Sequence, residues 1–287
     1  MKRAFSVKVG PMAFRVGSAW ADPVAALERL YAGYPKPEDG IPDFTVRLEP
    51  EKPWRRWLRP SVAIRGDYML PGAVPVSLAH GLLAAEMAMN LQVAMGERRF
   101  LLLHASSVER DGKVLLMTGE SGSGKSTLSA LLGEKGWRFM GDEFALIEPE
   151  TGLAFPFPRP VSLKNEAVAE MQRHVAAERF GPELLGTPKG DLRHLAPPQS
   201  AIAGMDVPGR PALLLFPKFG LPRDVRPVQE SEVFVRLTQA STNYTALGER
   251  GFEALTALVK AVPARAIDYP DTATALDLVE SLWSDLA

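Results

Sequence analysis

Apolar and polar positions alternate with period two over residues 5–9 and 44–48, and the apolar-rich stretches 13–17 and 62–66 are of similar length; each of the four predicts a short strand. Helical spacing covers 23–31, and a longer apolar tract, 76–95, predicts a helix leading out of this region. From residue 99 the pattern changes. An apolar run over 100–108 is followed by Asp111-Gly112 and a second run, Val114-Leu115-Leu116-Met117. Asp-Gly between two such runs is a hairpin signal, so these strands should pair antiparallel. Residues 137–140 and 144–147 read as strands, 165–179 as a helix, and 181–209 as loop. Another apolar strand covers 212–216 and an extended piece begins at Val225. Helical patterns over 230–239, 249–262 and 272–286 complete the chain, the last placing Ala273, Leu276, Leu278 and Leu282 largely along one side. The mixture predicts an α/β protein, with a small α+β domain over 1–95 and a second domain over 96–287.

The chemistry is concentrated just after the second hairpin strand. Gly119-Glu120-Ser121-Gly122-Ser123-Gly124-Lys125-Ser126-Thr127 matches G-x-x-x-x-G-K-[ST], a loop whose backbone N–H groups wrap phosphate oxygens. The preceding strand and the helical spacing of Leu128, Leu131 and Leu132 supply the context this motif requires, and Lys135-Gly136 reads as the helix end. Lys125 would meet the outer phosphates, Ser126 a Mg²⁺ ion, and Thr127 would open the helix.

Phosphoryl transfer needs a positioned metal, charge neutralisation and a group to orient or deprotonate the acceptor. Asp142 and Glu143 stand seventeen positions after Lys125. That interval holds one helix and one strand, which returns the acidic pair to the phosphate loop. One carboxylate could serve the metal while the other takes a proton from an attacking hydroxyl. A metal ligand beside a merely solvated acid is the other reading of the same pair.

Bulk properties narrow the partners. The chain has 287 residues, a formal net charge of −1, 46% hydrophobic and 23% charged residues. Such a charge argues against a general grip on nucleic acid or anionic lipid. With no cysteine, disulfides and thiolate chemistry are excluded, which suits a reducing cytoplasm. Lys8 and Gly10 interrupt any secretory core, and the 76–95 tract carries His80, Glu86, Asn90 and Gln92, too polar for a bilayer span. A cytoplasmic protein acting on neither nucleic acid nor membrane is expected.

The loop, the short interval to Asp142-Glu143 and His104 fifteen positions before Gly119 together resemble HPr kinase/phosphorylase. In that family a histidine precedes the loop at this interval and an Asp-Asp pair follows the loop helix. The resemblance is good over about residues 99–150 and loose elsewhere. In character the whole chain is more similar to the HPr-kinase-related bacterial proteins, on the strength of Ser162-Leu163-Lys164-Asn165, Thr187-Pro188-Lys189-Gly190 with His194-Leu195, and Phe216-Pro217-Lys218-Phe219. It implies a P-loop kinase domain on a mixed sheet of the HPr kinase and phosphoenolpyruvate carboxykinase type. It further implies an ATP- and Mg²⁺-dependent kinase acting on a serine of a protein or peptide, and a homo-oligomer. His104 would be the active-site histidine, Lys125 the phosphate lysine, Ser126 the Mg²⁺ hydroxyl, and Asp142 or Glu143 the proton acceptor, with Asp142 a metal ligand. The chain departs from the family at Phe157-Pro158-Arg159-Pro160, which keeps an arginine but offers no carboxylate. Kinase activity without the reverse phosphorolysis is therefore expected, on an acceptor other than HPr. A small-molecule hydroxyl kinase and an ATP-gated binding protein are the alternatives.

Arg159, Lys189, His194 and Lys218 fall in Gly/Pro-rich stretches and are candidate phosphate or acceptor contacts, or plain exposed charges. Trp54-Arg55-Arg56-Trp57-Leu58-Arg59 interleaves aromatics with cations, either as a phosphate or nucleic-acid contact or as a solvated edge with its tryptophans tucked onto the domain. Four histidines without cysteine make a zinc site a poor reading.

Overall fold

The computed structural model describes residues 3–187 and 190–286. The chain divides into two units, residues 1–97 with 162–196, and residues 98–161 with 197–287. The first break lies two residues beyond the expected one. The return of 162–196 to the first unit was not expected at all.

The first unit begins with β1 (Ala4–Val9) and β2 (Met12–Ser18), an antiparallel pair in register from Ala4↔Gly17 to Val9↔Met12. Helix α1 (Ala21–Leu30) then carries the chain over to β3 (Phe44–Pro50), parallel to β2. β4 (Ser61–Gly66) and the two-residue β5 (Val76–Ser77) complete a sheet ordered β1-β2-β3-β4-β5. Val76 and Ser77 were expected to be helical. They pair instead with Val62 and Ser61, and after a 3₁₀ turn the helix α2 runs Gly81–Gly96. Its apolar residues are buried on nearly every side, against β3, β4 and α1.

The second unit opens with β6 (Leu101–Leu103), β7 (Ala105–Arg110) and β8 (Lys113–Thr118). The single strand expected over 100–108 is thus two, divided at His104. The hairpin at Asp111-Gly112 is present, with β7 and β8 antiparallel and both turn residues at positive φ. Helix α3 (Lys125–Glu134), β9 (Arg138–Gly141), β10 (Ala145–Ile147) and β11 (Ala154–Phe155) follow. β6 pairs with β10 in a small sheet ordered β11-β10-β6, whereas β7 joins the main one.

The chain then passes through β12 (Val161–Lys164), α4 (Glu166–Gln172), β13 (Phe180–Thr187) and β14 (Gly190–Leu195). The sheet is ordered β12-β14-β13, and Leu184 and Leu192 bury against Leu83 of α2 in the first unit. Residues 181–209 are therefore mostly a hairpin, not loop. Two register shifts along β13–β14 break the alternation that would have marked it. The helix expected over 165–179 stops at Gln172.

Back in the second unit come α5 (Gln199–Ala203), β15 (Arg210–Phe219), β16 (Asp224–Pro227), α6 (Glu230–Ala240), α7 (Tyr244–Leu247), α8 (Glu249–Ala261), β17 (Ala264–Tyr269) and α9 (Thr272–Ser284). The main sheet is ordered β16-β17-β15-β8-β7-β9, with β8, β15 and β17 parallel. Parallel strands covered on both faces read as near-continuous apolar runs, and Val114–Met117 and Leu213–Pro217 are buried throughout. Val233 and Leu237 of α6 and Leu255 and Leu258 of α8 pack on Val114, Leu116, Leu214 and Phe216. Truncating one such leucine to alanine costs about 2–5 kcal/mol, so this is a stiff platform. In α9 the buried residues are Ala275, Leu278 and Val279; of the expected stripe Leu278 is buried, Leu276 and Leu282 are half-buried, and Ala273 faces solvent. Mixed α/β architecture is thus established, with parallel strands at the centre of the larger unit.

Candidate phosphate-binding site

Residues 119–124 connect the carboxyl end of β8 to the first turn of α3. Gly124 caps the helix at φ +95°, a left-handed conformation that glycine adopts without cost. It is also closely covered. A Cβ at Gly124 would stand 2.2 Å from the Tyr269 hydroxyl, which donates to the Ser123 carbonyl at 3.1 Å. Tyr269, at the end of β17, thereby holds the loop down, and burial pushes its phenol well above the ordinary range. The amino terminus of a ten-residue helix carries partial positive charge, which favours an anion there.

Lys125 is buried, and its ammonium donates to the carbonyls of Gly119 (2.7 Å) and Glu120 (3.0 Å) and lies 3.5 Å from Ser123 Oγ. These bonds hold a cation at the loop. Glu120, Ser121 and Gly122 lie toward solvent, and Ser126 and Thr127 are half-buried.

The acidic pair arrives from β9. Gly141 ends that strand with its Cα wedged between backbone oxygens. A Cβ there would meet Phe157 O at 3.0 Å and Phe144 O at 3.1 Å, so a side chain would push this turn apart. Asp142 follows, 7% exposed. Ser106 of β7 donates to its Oδ1 at 2.6 Å, and the Ser126 hydroxyl, at the start of α3, favours its charged form. Burial first, and Glu143 second, push the Asp142 carboxyl up to about 6, against the two hydroxyls and Lys125. A carboxylate held in that state is suited to a divalent cation.

Glu143 turns the other way and is partly open to solvent. His104 Nδ1 lies 3.1 Å from its carbonyl and 3.6 Å from its Oε2. The histidine sits where the chain passes between the two sheets. Its backbone N–H donates to Ala240 O, Thr118 Oγ1 donates to its carbonyl, and the buried Asn243 ties β6 through Leu102 N and Phe100 O. Two adjacent carboxylates thus have different neighbours, hydroxyls and an ammonium for Asp142, an imidazole for Glu143.

Lys125, Ser126, Asp142, Glu143 and His104 are brought together. Arg159 is buried over the Phe157 ring, on a loop tied to β9 by the bond from Phe157 N to Met140 O. Lys218 is on β15 rather than in a loop. It is exposed beyond the last residue paired with β8, and the Pro217 carbonyl lies near Gly119. His194, also expected in a loop, is a buried residue of β14 in the first unit. Lys189 lies outside the described residues. Ser106 and Tyr269 were missed. The pair of hydroxyls, Ser106-Ser107, both buried in β7, was the available signal for the first.

The donor set fits a triphosphate with one Mg²⁺. Helix amides and Lys125 would face the phosphates, and Ser126 with Asp142 would hold the ion, which usually takes only one or two protein ligands. Among the described residues no group of three or more acidic or histidine side chains could hold a metal by itself. None of the described helices is long and apolar enough to cross a membrane.

No protein-family model matches the chain, and no curated protein does. Among solved structures, the HPr(Ser) kinase/phosphatase from Coxiella burnetii is similar at 17% identity, over 64% of this chain and 94% of that one, with a TM-score of 0.31. At that score the two folds are not shown to coincide, and the α/β class rests on the sheets themselves.

Proposed function

We propose that the second unit is an ATP- and Mg²⁺-dependent kinase that phosphorylates a hydroxyl, specifically a serine of a protein or peptide. The observation that carries the reading is the setting of Asp142, a buried carboxylate between Ser106 and Ser126 and beside Lys125. Bound MgATP supplies the transferable phosphoryl group. Lys125 and the α3 amides orient the phosphates, Asp142 and Ser126 hold the metal, and Glu143 takes the acceptor's proton. His104 orients Glu143 through its 3.6 Å contact. The absence of a carboxylate in Phe157–Pro160 supports transfer without phosphorolysis.

Glu143→Gln separates base from metal site. General-base catalysis contributes about 10²–10⁴-fold, so the variant should lose that much in transfer rate while calorimetry shows unchanged MgATP affinity. Unchanged transfer in that variant rejects Glu143 as the base. A wild-type protein that binds MgATP but moves no phosphate to any lysate acceptor rejects the kinase in favour of an ATP-gated binding protein. Phosphate appearing only on metabolites points to the small-molecule kinase.

A further inference from the structure

Trp54 and Trp57 were expected either to contact a ligand or to tuck onto the domain. They do not tuck in. Trp54 is 55% exposed, Trp57 76% and Leu58 66%. Residues 53–56 form a 3₁₀ turn that carries Trp54, and Trp57 caps its end. Trp57 N and Leu58 N both donate to Trp54 O, and Arg55 donates to Arg59 O, so the turn is fixed by its own bonds. Arg56 donates to Ala19 O and Trp20 Nε1 donates to Arg56 O, which fasten it to the end of β2. Two large apolar rings held in water, three residues apart, mark an interaction site more than a chance exposure.

Beside the turn are two clefts joined through Arg56, of about 410 and 340 Å³. Arg47 and Glu49 line the first, and Arg3, Trp20 and Trp57 the second. Among the described residues that line the clefts the acid is Glu49, 3.8 Å from Arg47. Arg47 of β3 and Arg3 before β1 thus line the two clefts on either side of Arg56, whose guanidinium is held by Ala19 O, in a chain whose net charge is −1. Guanidinium forks match carboxylates in pairs, and an exposed indole accepts an apolar side chain. The hollow suits a peptide better than a flat bilayer. Lys52 and Arg56 lie over one face of each indole, at 5.5 and 5.6 Å, and leave the other open.

We infer that this cleft of the first unit binds an acidic peptide segment of a partner protein, with an apolar side chain against Trp57. The site needs no nucleotide and stands independently of the kinase reading. Fluorescence anisotropy of a fluorescein-labelled ten-residue glutamate peptide with two central phenylalanines tests it on the full-length protein, with unlabelled anionic vesicles and a deoxythymidine oligomer as competitors. Binding should persist without ATP and in Lys125→Ala. The exposed reversals Arg3→Glu and Arg47→Glu should each weaken it about tenfold, and Trp57→Ala by a similar factor. No binding, binding indifferent to the reversals, or displacement by vesicles or oligomer more effective than by unlabelled peptide overturns the inference. Circular dichroism on each variant separates lost binding from lost fold.

Discussion

At the carboxyl end of β8 a lysine and an aspartate are buried among carbonyls and hydroxyls. At the carboxyl ends of β2 and β3 the arginines stand in water. Both places follow the rule that ligands meet open sheets where parallel strands end. They differ in what the unliganded fold must sustain. Exposed arginines cost little, because water solvates them and salt screens them. Burying Asp142 is expensive, as its raised carboxyl shows, and stability alone gives no reason to keep it. A charge that costs stability is therefore stronger evidence of chemistry than a charge that costs none.

The comparison can be broken most severely at Lys125. Loss of one preorganised charge-stabilising donor costs about 10²–10³-fold in rate, and Lys125→Ala should lose at least that in phosphoryl transfer. The same variant should bind the acidic peptide normally. If peptide binding fell together with transfer, the two regions would not be independent.

Asp142→Asn sharpens the contrast in the opposite direction. The folded carboxyl titrates near 6 and the unfolded one near its ordinary 3.8. Between those values the folded state binds more protons, so stability falls as pH rises through the window and is flat above it. A shift of this size corresponds to about 3 kcal/mol at neutral pH. The asparagine variant should therefore be more stable than wild type at pH 8, by up to that amount in urea unfolding without Mg²⁺. Its advantage should shrink below pH 6 and vanish near pH 4. It should also lose Mg²⁺-dependent ATP binding. A variant less stable at pH 8 would mean that Asp142 is a structural hydrogen-bond acceptor and not a strained ligand.

How far these features could be read in advance depended on sequence distance. The loop of residues 119–124, its strand and its helix were legible because motif, apolar run and periodicity lie within about twenty residues. Asp142 was legible because one helix and one strand must return the chain to its starting edge. The split at His104 was not, since apolar residues stand on both sides of it and nothing local says that β6 and β7 join different sheets. The hairpin of β13 and β14 was hidden by its bulges, and its membership of the first unit by a contact between Leu83 and leucines a hundred residues later. In α9 the expected stripe failed only at Ala273, because Ala273 and Ala275 are equally apolar and only packing distinguishes them.

Tyr269 is the extreme case, 146 residues from the carbonyl it holds. Its hydroxyl makes one bond to Ser123 O, and its ring occupies the space that Gly124 leaves. Tyr269→Phe keeps the ring and removes the bond. A typical hydrogen bond contributes about 0.5–1.5 kcal/mol, so unfolding stability should fall by about 1 kcal/mol. If the bond also holds the loop in its binding shape, part of that energy should appear as weaker MgATP binding, at most about tenfold by calorimetry, with the transfer rate at saturation unchanged. A loss confined to stability would make the tyrosine a packing residue. A loss in saturated rate would mean that loop shape governs the chemical step, and the buried-charge site would then depend on β17 as much as on Asp142.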